Sequence, residues 1–194
     1  MSVVLNTLAR QGARYALFSS QRPHLSSATT ACGILTTADL TCQATLQYDE
    51  KNGIDWVRTA GLGVFACWHY GVPCKYLYLA YDRVIGTAPT LRTAGLKVLF
   101  DVYIHAPFLL VPSFYYITGS IKGQNFGQIR EQLQKEWLTA SFGTVLFWTP
   151  LCLFNFRFVP QHSRILFVSF GSFVHKTWIS WLSNRARHLE RLAI

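Results

Sequence analysis

The chain has 194 residues, enough for one domain, yet only 14% are charged while 15% are aromatic. Soluble domains carry about a quarter of their residues charged, so this deficit, with apolar residues gathered into long segments, points to several membrane spans. The net charge of +9 does not point to nucleic acid, because Lys and Arg are spread along the chain at the edges of apolar segments and form no aromatic-interleaved cluster. Basic residues beside anionic headgroups explain the charge, and no sequence-specific nucleic-acid partner is expected.

Residues 1–28 carry Arg10, Arg14 and Arg22, clustered serines and no acid. Val4, Leu5, Leu8 and Tyr15 share one helical face. Arginine and serine on a weakly amphipathic helix fit a mitochondrial transit peptide; a basic arm lying uncleaved on the membrane surface fits the same residues. A first span follows over 29–46, with Asp39 and Gln43 four apart on one face among small residues that permit close helix approach. Residues 48–53 read as a polar loop.

The second helix starts near Asp55 as its N-cap and runs through Arg58, Gly61 and Gly63, where the glycines read as packing positions. Gly71 and Pro73 should kink it before it continues to Tyr78 and Asp82. Residues 86–93 read as a loop. A third helix carries Lys97, Asp101 and His105 at four-residue steps, with kinks at Pro107 and Pro112, and its uncharged part, 102–121, is long enough to span. Residues 119–127 read as a loop and 129–137 as a separate amphipathic stretch along the interface. From 138 to 156 no residue is charged. Pro160 then breaks the chain, so the last fifty residues read as a helical hairpin in lipid with Trp178 and Trp181 at its interface. The fold expected is all-α: a polytopic transmembrane bundle of four to five membrane helices plus amphipathic segments, over 29–184, followed by a basic tail at 185–194.

Ionisable residues inside such helices cost a few kcal/mol each and normally face protein or water. Lys97, Asp101 and His105 share one face, and Gly71, Lys75, Tyr78 and Asp82 roughly share another. Together with Asp39, Gln43, Arg58 and Asn155 they are the candidate polar interior. One reading is a pathway for ions or small solutes; the other is pairing across helices that fixes the register, with Lys97 and Asp101 able to satisfy each other within a turn. Asn155 is expected to hydrogen-bond across the final hairpin and Arg157 to reach the interface beside its aromatic neighbours. No nucleophile elbow, phosphate loop or dinucleotide fingerprint is present. The six histidines and five cysteines show no metal spacing. No catalytic residue, cofactor or metal is therefore expected, and the cysteines read as packing residues.

The spacing of Trp148, Pro150, Asn155-Phe156, Val159-Pro160, Arg164 and Trp178 resembles the signature of the family of the Mpv-seventeen and twenty-two-kilodalton peroxisomal membrane proteins. Asp39 and Gln43, then Gly71, Tyr78 and Asp82, then Lys97, Asp101 and Pro107 follow that family's pattern in order over about residues 29–184. Departures are Pro73, one position later than usual, Lys75 and Leu77 for His and Trp, Val102 for Gln, and Val145 and Cys152 for Trp and Gln. The resemblance implies a polytopic protein of the mitochondrial inner membrane or the peroxisomal membrane. Some members are implicated as weakly selective channels, and a related branch helps mitochondrial ribosomes assemble. The lipid bilayer, a second copy of the chain, and the mitochondrial ribosome or another inner-membrane complex are the partners this implies. The second function would use the basic tail, Arg185, Arg187 and Arg191. The leader, and the lack of a peroxisomal tripeptide at Leu192-Ala193-Ile194, favour mitochondria.

Overall fold

The computed structural model describes residues 2–46 and 53–177, and every regular element among them is helical. The order is α1 (Ser2–Gln21), α2 (Pro23–Thr45), α3 (Trp56–Gly71), α4 (Pro73–Val84), α5 (Leu91–Phe100), a π-helical stretch (Asp101–Leu110), α6 (Val111–Ile121), α7 (Phe126–Phe158) and a 3-10 turn (Gln161–Ser163). A last helix, α8, covers 164–177. The loop expected at 48–53 lies almost wholly outside the described residues, as do Trp178, Trp181 and the basic tail.

Local chemistry sets most of the breaks. Pro23 and Pro73 open α2 and α4, where a missing N–H costs nothing. The Asp55 carboxylate caps α3 by accepting from the Arg58 amide at 2.9 Å. Two loops are shorter than the sequence reading. Thr90 and Thr93 form a reciprocal capping box, so α5 begins at Leu91 and not after residue 93. Asn125 and Gln128 form another, so α7 begins at Phe126.

The amphipathic stretch 129–137 is not a separate interfacial segment either. It is the first part of α7, whose 33 residues run unbroken for about 50 Å, beyond the roughly 30 Å of a hydrocarbon core. Around Pro107 the third helix widens instead of simply kinking. A proline there cannot donate to Tyr103 as an α-helix requires, and the chain adopts π geometry, with the Val111 amide donating to Ala106. Pro112 sits in the first turn of α6.

The distribution of side chains is inside-out. Lys97 is 2% exposed and Asp39 and Asn155 are 0% exposed, while Leu138 and Phe142 on α7 are 72% and 70% exposed. Leu138, Phe142 and Leu146, and after Pro150 Phe154 and Phe158, follow one another at four-residue steps along the outer face of α7, a stripe suited to lipid. Among the described residues Leu91–Ile121 and Phe126–Phe158 are by themselves long and apolar enough to cross a membrane. α2 falls below this threshold because it is rich in Ser and Thr and carries Asp39, and α3 and α4 because they are divided at Gly71–Pro73. The molecule is an all-α membrane bundle.

α1 lies against α2, with the Tyr15 and Thr30 hydroxyls 3.3 Å apart and the Ser19 hydroxyl donating to the His162 carbonyl at 3.5 Å. α2 starts within the stretch read as a leader, and His24 Nδ1 lies 2.9 Å from the Gly71 carbonyl.

α2 and α3 are the most closely packed pair, and glycine makes this approach possible. A Cβ on Gly71 would stand 2.6 Å from Ala28 Cβ and 3.3 Å from Ala28 Cα, whereas one on Gly33 would meet nothing within 4 Å. Gly71→Ala is expected to destabilise the bundle by about 1–3 kcal/mol through overpacking. Gly33→Ala should be neutral or slightly stabilising. Thermal unfolding of the detergent-solubilised variants, side by side, checks both.

Candidate functional site

Three aspartates organise the polar interior, each in a different way. Asp39 on α2 is held from α3 and α8. Its Oδ1 accepts from Arg58 Nε at 3.0 Å, and Arg58 Nη2 and Lys176 Nζ approach it at 2.8 and 2.9 Å. Its Oδ2 accepts from Gln43 Nε2 at 2.8 Å and Thr59 Oγ1 at 2.7 Å. Gln43 completes the loop by accepting from the Asp55 amide at 2.6 Å. The four-residue step from Asp39 to Gln43 thus puts both on the face that meets α3.

Asp82 on α4 gathers Lys97 from α5 and Arg164 from α8. Lys97 Nζ pairs with Asp82 Oδ1, and Arg164 Nη1 donates to both oxygens at 2.9 and 3.0 Å. The Phe156 ring lies under both cations, 5.9 Å from Lys97 Nζ and 5.4 Å from Arg164 Cζ. Lys97 therefore does not satisfy itself on Asp101 a turn away; its partner is on another helix.

Asp101 faces an imidazole, a phenol and a thiol. Oδ1 lies 3.1 Å from His105 Nδ1, and Oδ2 accepts from Tyr78 OH at 3.4 Å and Cys152 Sγ at 3.7 Å. Among the described residues it meets no lysine or arginine. The His105 ring stacks on His69 of α3, centroids 5.2 Å apart and planes 13° apart. Together these groups line a cavity of about 30 Å³ that also takes in Cys74 and Tyr70. α4 and the third helix run past each other as a ladder: Asp82 meets Lys97, Tyr78 meets Asp101 one turn on, and Cys74 and His105 share the cavity beyond.

The structure brings together Asp39, Gln43 and Arg58 in one cluster and Tyr78, Asp82, Lys97, Asp101 and His105 along the ladder. Lys75 is buried on α4 but has no carboxylate partner among the described residues. Asn155 has no hydrogen-bond partner across the hairpin among the described residues: its amide is fully buried, and nothing in the structure explains it. Arg157 lies over the Phe158 ring, 4.9 Å from its centroid. Of the signature residues, Pro107 sits in the π stretch and accepts the Trp137 indole N–H at 2.8 Å. Trp148 packs beside Gly171 of α8, Phe156 and Arg164 belong to the Asp82 cluster, and Trp178 is outside the described residues. Val159 and Pro160 form the extended turn between α7 and α8.

The sequence reading did not single out His69, Thr59 or Lys176, and it took Arg164 only as a signature residue. His69 follows Phe65 by four residues on the buried face of α3. An imidazole in an otherwise apolar helical stripe was the available signal.

No solved structure matches the chain. A sequence profile described as the Mpv17 / PMP22 family matches residues 119–180, the region from the end of α6 through α8. The mitochondrial inner membrane protein Mpv17 of Danio rerio is 28% identical over 128 residues, 66% of this chain and 71% of its own. Mpv17 of Drosophila melanogaster is 26% identical over 71% of this chain and 83% of its own. Protein sym-1 of Neurospora crassa is 24% identical over 84% and 94%. The matched segment holds the Asn155-Phe156, Val159-Pro160 and Arg164 pattern that closes the polar interior, and the relatives extend the likeness across the ladder helices: the chain is similar to the Mpv17 / PMP22 family in sequence.

Proposed function

We propose that this protein works in the mitochondrial inner membrane, as its relatives' names state for them, and conducts small ions or solutes through the bundle interior. The observation that carries this reading is the ladder of buried ionisable groups, which leads from the Asp82 cluster through Tyr78 and Asp101 to the His105–His69 cavity. A bundle selected only for stability would fill these positions with apolar groups at no loss. The cavity of about 30 Å³ has room for about two waters, so passage of a larger solute needs it to widen. In this reading the protein is a conduit rather than an enzyme.

Planar-bilayer recording of the purified full-length protein beside Asp101→Asn tests it. Discrete openings are expected, with conductance or ion selectivity changed in the variant and helical content unchanged by circular dichroism. A silent bilayer with folded protein overturns conduction and moves the protein to a membrane scaffold that recruits an inner-membrane complex.

A further inference from the structure

We propose that the species moved through this interior is the proton, and that His69, His105 and Asp101 form the station that binds it; this rests on the conduction reading above. A neutral imidazole has one donor and one acceptor nitrogen. Asp101 Oδ1 fixes the His105 tautomer by accepting from Nδ1 at 3.1 Å, while Oδ2 is engaged by Tyr78 and Cys152. The lone pair of His105 is thereby on Nε2. That atom, and both nitrogens of His69, are buried with no partner among the described residues, and both rings line the cavity. Burying three such nitrogens unpartnered is costly, and a packing role alone would be filled better by phenylalanine.

Size and charge narrow the ligand. The cavity of about 30 Å³ holds about two water molecules, at 10–15 Å³ each, and excludes a metabolite. Asp39 and Asp82 each face two cations. Among the described residues Asp101 faces no lysine or arginine, and its ion-pair partner is an imidazole, which leaves this pair a place for one exchangeable proton. From the elements packed around it, α3 adds Tyr70, α4 adds Cys74 and Tyr78, α7 adds Cys152 and Thr144, and α8 adds the apolar Val168; none brings a second fixed charge.

The transfer is balanced within these groups. A hydronium in the cavity gives its proton to His105 Nε2, leaving water and an imidazolium whose Nδ1–H points at Asp101. Loss of the Nδ1 proton to Asp101 Oδ1 breaks that N–H bond, forms an O–H bond and returns both groups to neutrality. His69, stacked on the ring, brings two further ring nitrogens to the α3 side of the cavity.

The test uses full-length protein in phosphatidylcholine–cardiolipin liposomes. A valinomycin-set potassium potential drives proton entry, read by a trapped pH dye, and release of trapped radiolabelled sucrose is followed in parallel. His69→Phe and His105→Phe keep the ring volume and remove the nitrogens; His105→Gln keeps a donor toward Asp101 but cannot take up a proton. Expected are proton entry in wild type, its loss to protein-free background in all three variants, and unfolding temperatures equal to or above wild type for the phenylalanine variants. Proton entry equal in all four proteins overturns the station. Sucrose release in every protein without histidine-dependent proton entry leaves the conduction reading standing and overturns this one. No flux of either kind overturns both. Should the phenylalanine variants unfold, His105→Gln decides, since its loss of flux at a normal unfolding temperature excludes a packing cause.

Discussion

Asp82→Asn is expected to destabilise the protein by about 3–5 kcal/mol, the range found when one partner of a buried ion pair is removed. The variant is nearly isosteric, so the loss comes from charge. Lys97 and Arg164 have side chains 2% and 7% exposed and cannot recover water without moving a helix. Arg164 keeps a bond from Nε to the Val159 carbonyl at 3.3 Å, and both cations keep the Phe156 face, so part of the energy survives. Chemical unfolding in detergent micelles measures the effect. Adding Lys97→Met should restore part of it, because one stranded charge is then gone. Unfolding of Asp82→Asn at the wild-type midpoint would mean that this cluster does not hold α4, α5 and α8 together.

Asp39→Ala should cost less, about 2–3 kcal/mol, the scale of losing a charge-assisted hydrogen bond. More contacts disappear here than at Asp82, but Arg58 and Lys176 are roughly a quarter exposed and rehydrate in place. Thr59 and Gln43 retain each other at 2.9 Å. The same unfolding assay ranks the two, and a larger loss at position 39 than at 82 would contradict burial as the deciding quantity.

What the sequence made legible was local. Asp55 as a cap, the division at Gly71–Pro73 and the turn at Pro160 are each decided by a few neighbouring residues, and each stands where expected. The Thr90–Thr93 box was missed because its third residue is threonine rather than Glu or Gln. α7 was divided at Trp137 because charge density changes there. Yet between residues 128 and 142 there is neither glycine nor proline, and a helix does not end where its surroundings change from water to lipid.

Within the site, the choice of residues was legible and their pairing was not. Lys97 has an acid four residues on, which satisfies a local rule, while its actual partner, Asp82, is selected by the path of the loop between α4 and α5. His69 was legible as an imidazole in an apolar stripe, but its role was not, because that depends on the ring stacked on it from another helix. The π stretch was equally hidden, since a one-residue change in hydrogen-bond spacing leaves the four-residue pattern of Lys97, Asp101 and His105 intact.

That stretch has a mechanical consequence. A π-helix spends more residues on each unit of axial length than an α-helix, so the segment Leu91–Ile121 holds residues in reserve. Rewinding it would lengthen the span, and bilayers of different thickness draw on such slack at a fraction of a kcal/mol per Å. Asp101 and His105 sit within the reserve, and hydrophobic mismatch at the lipid face therefore pulls on the residues at the centre of the polar interior.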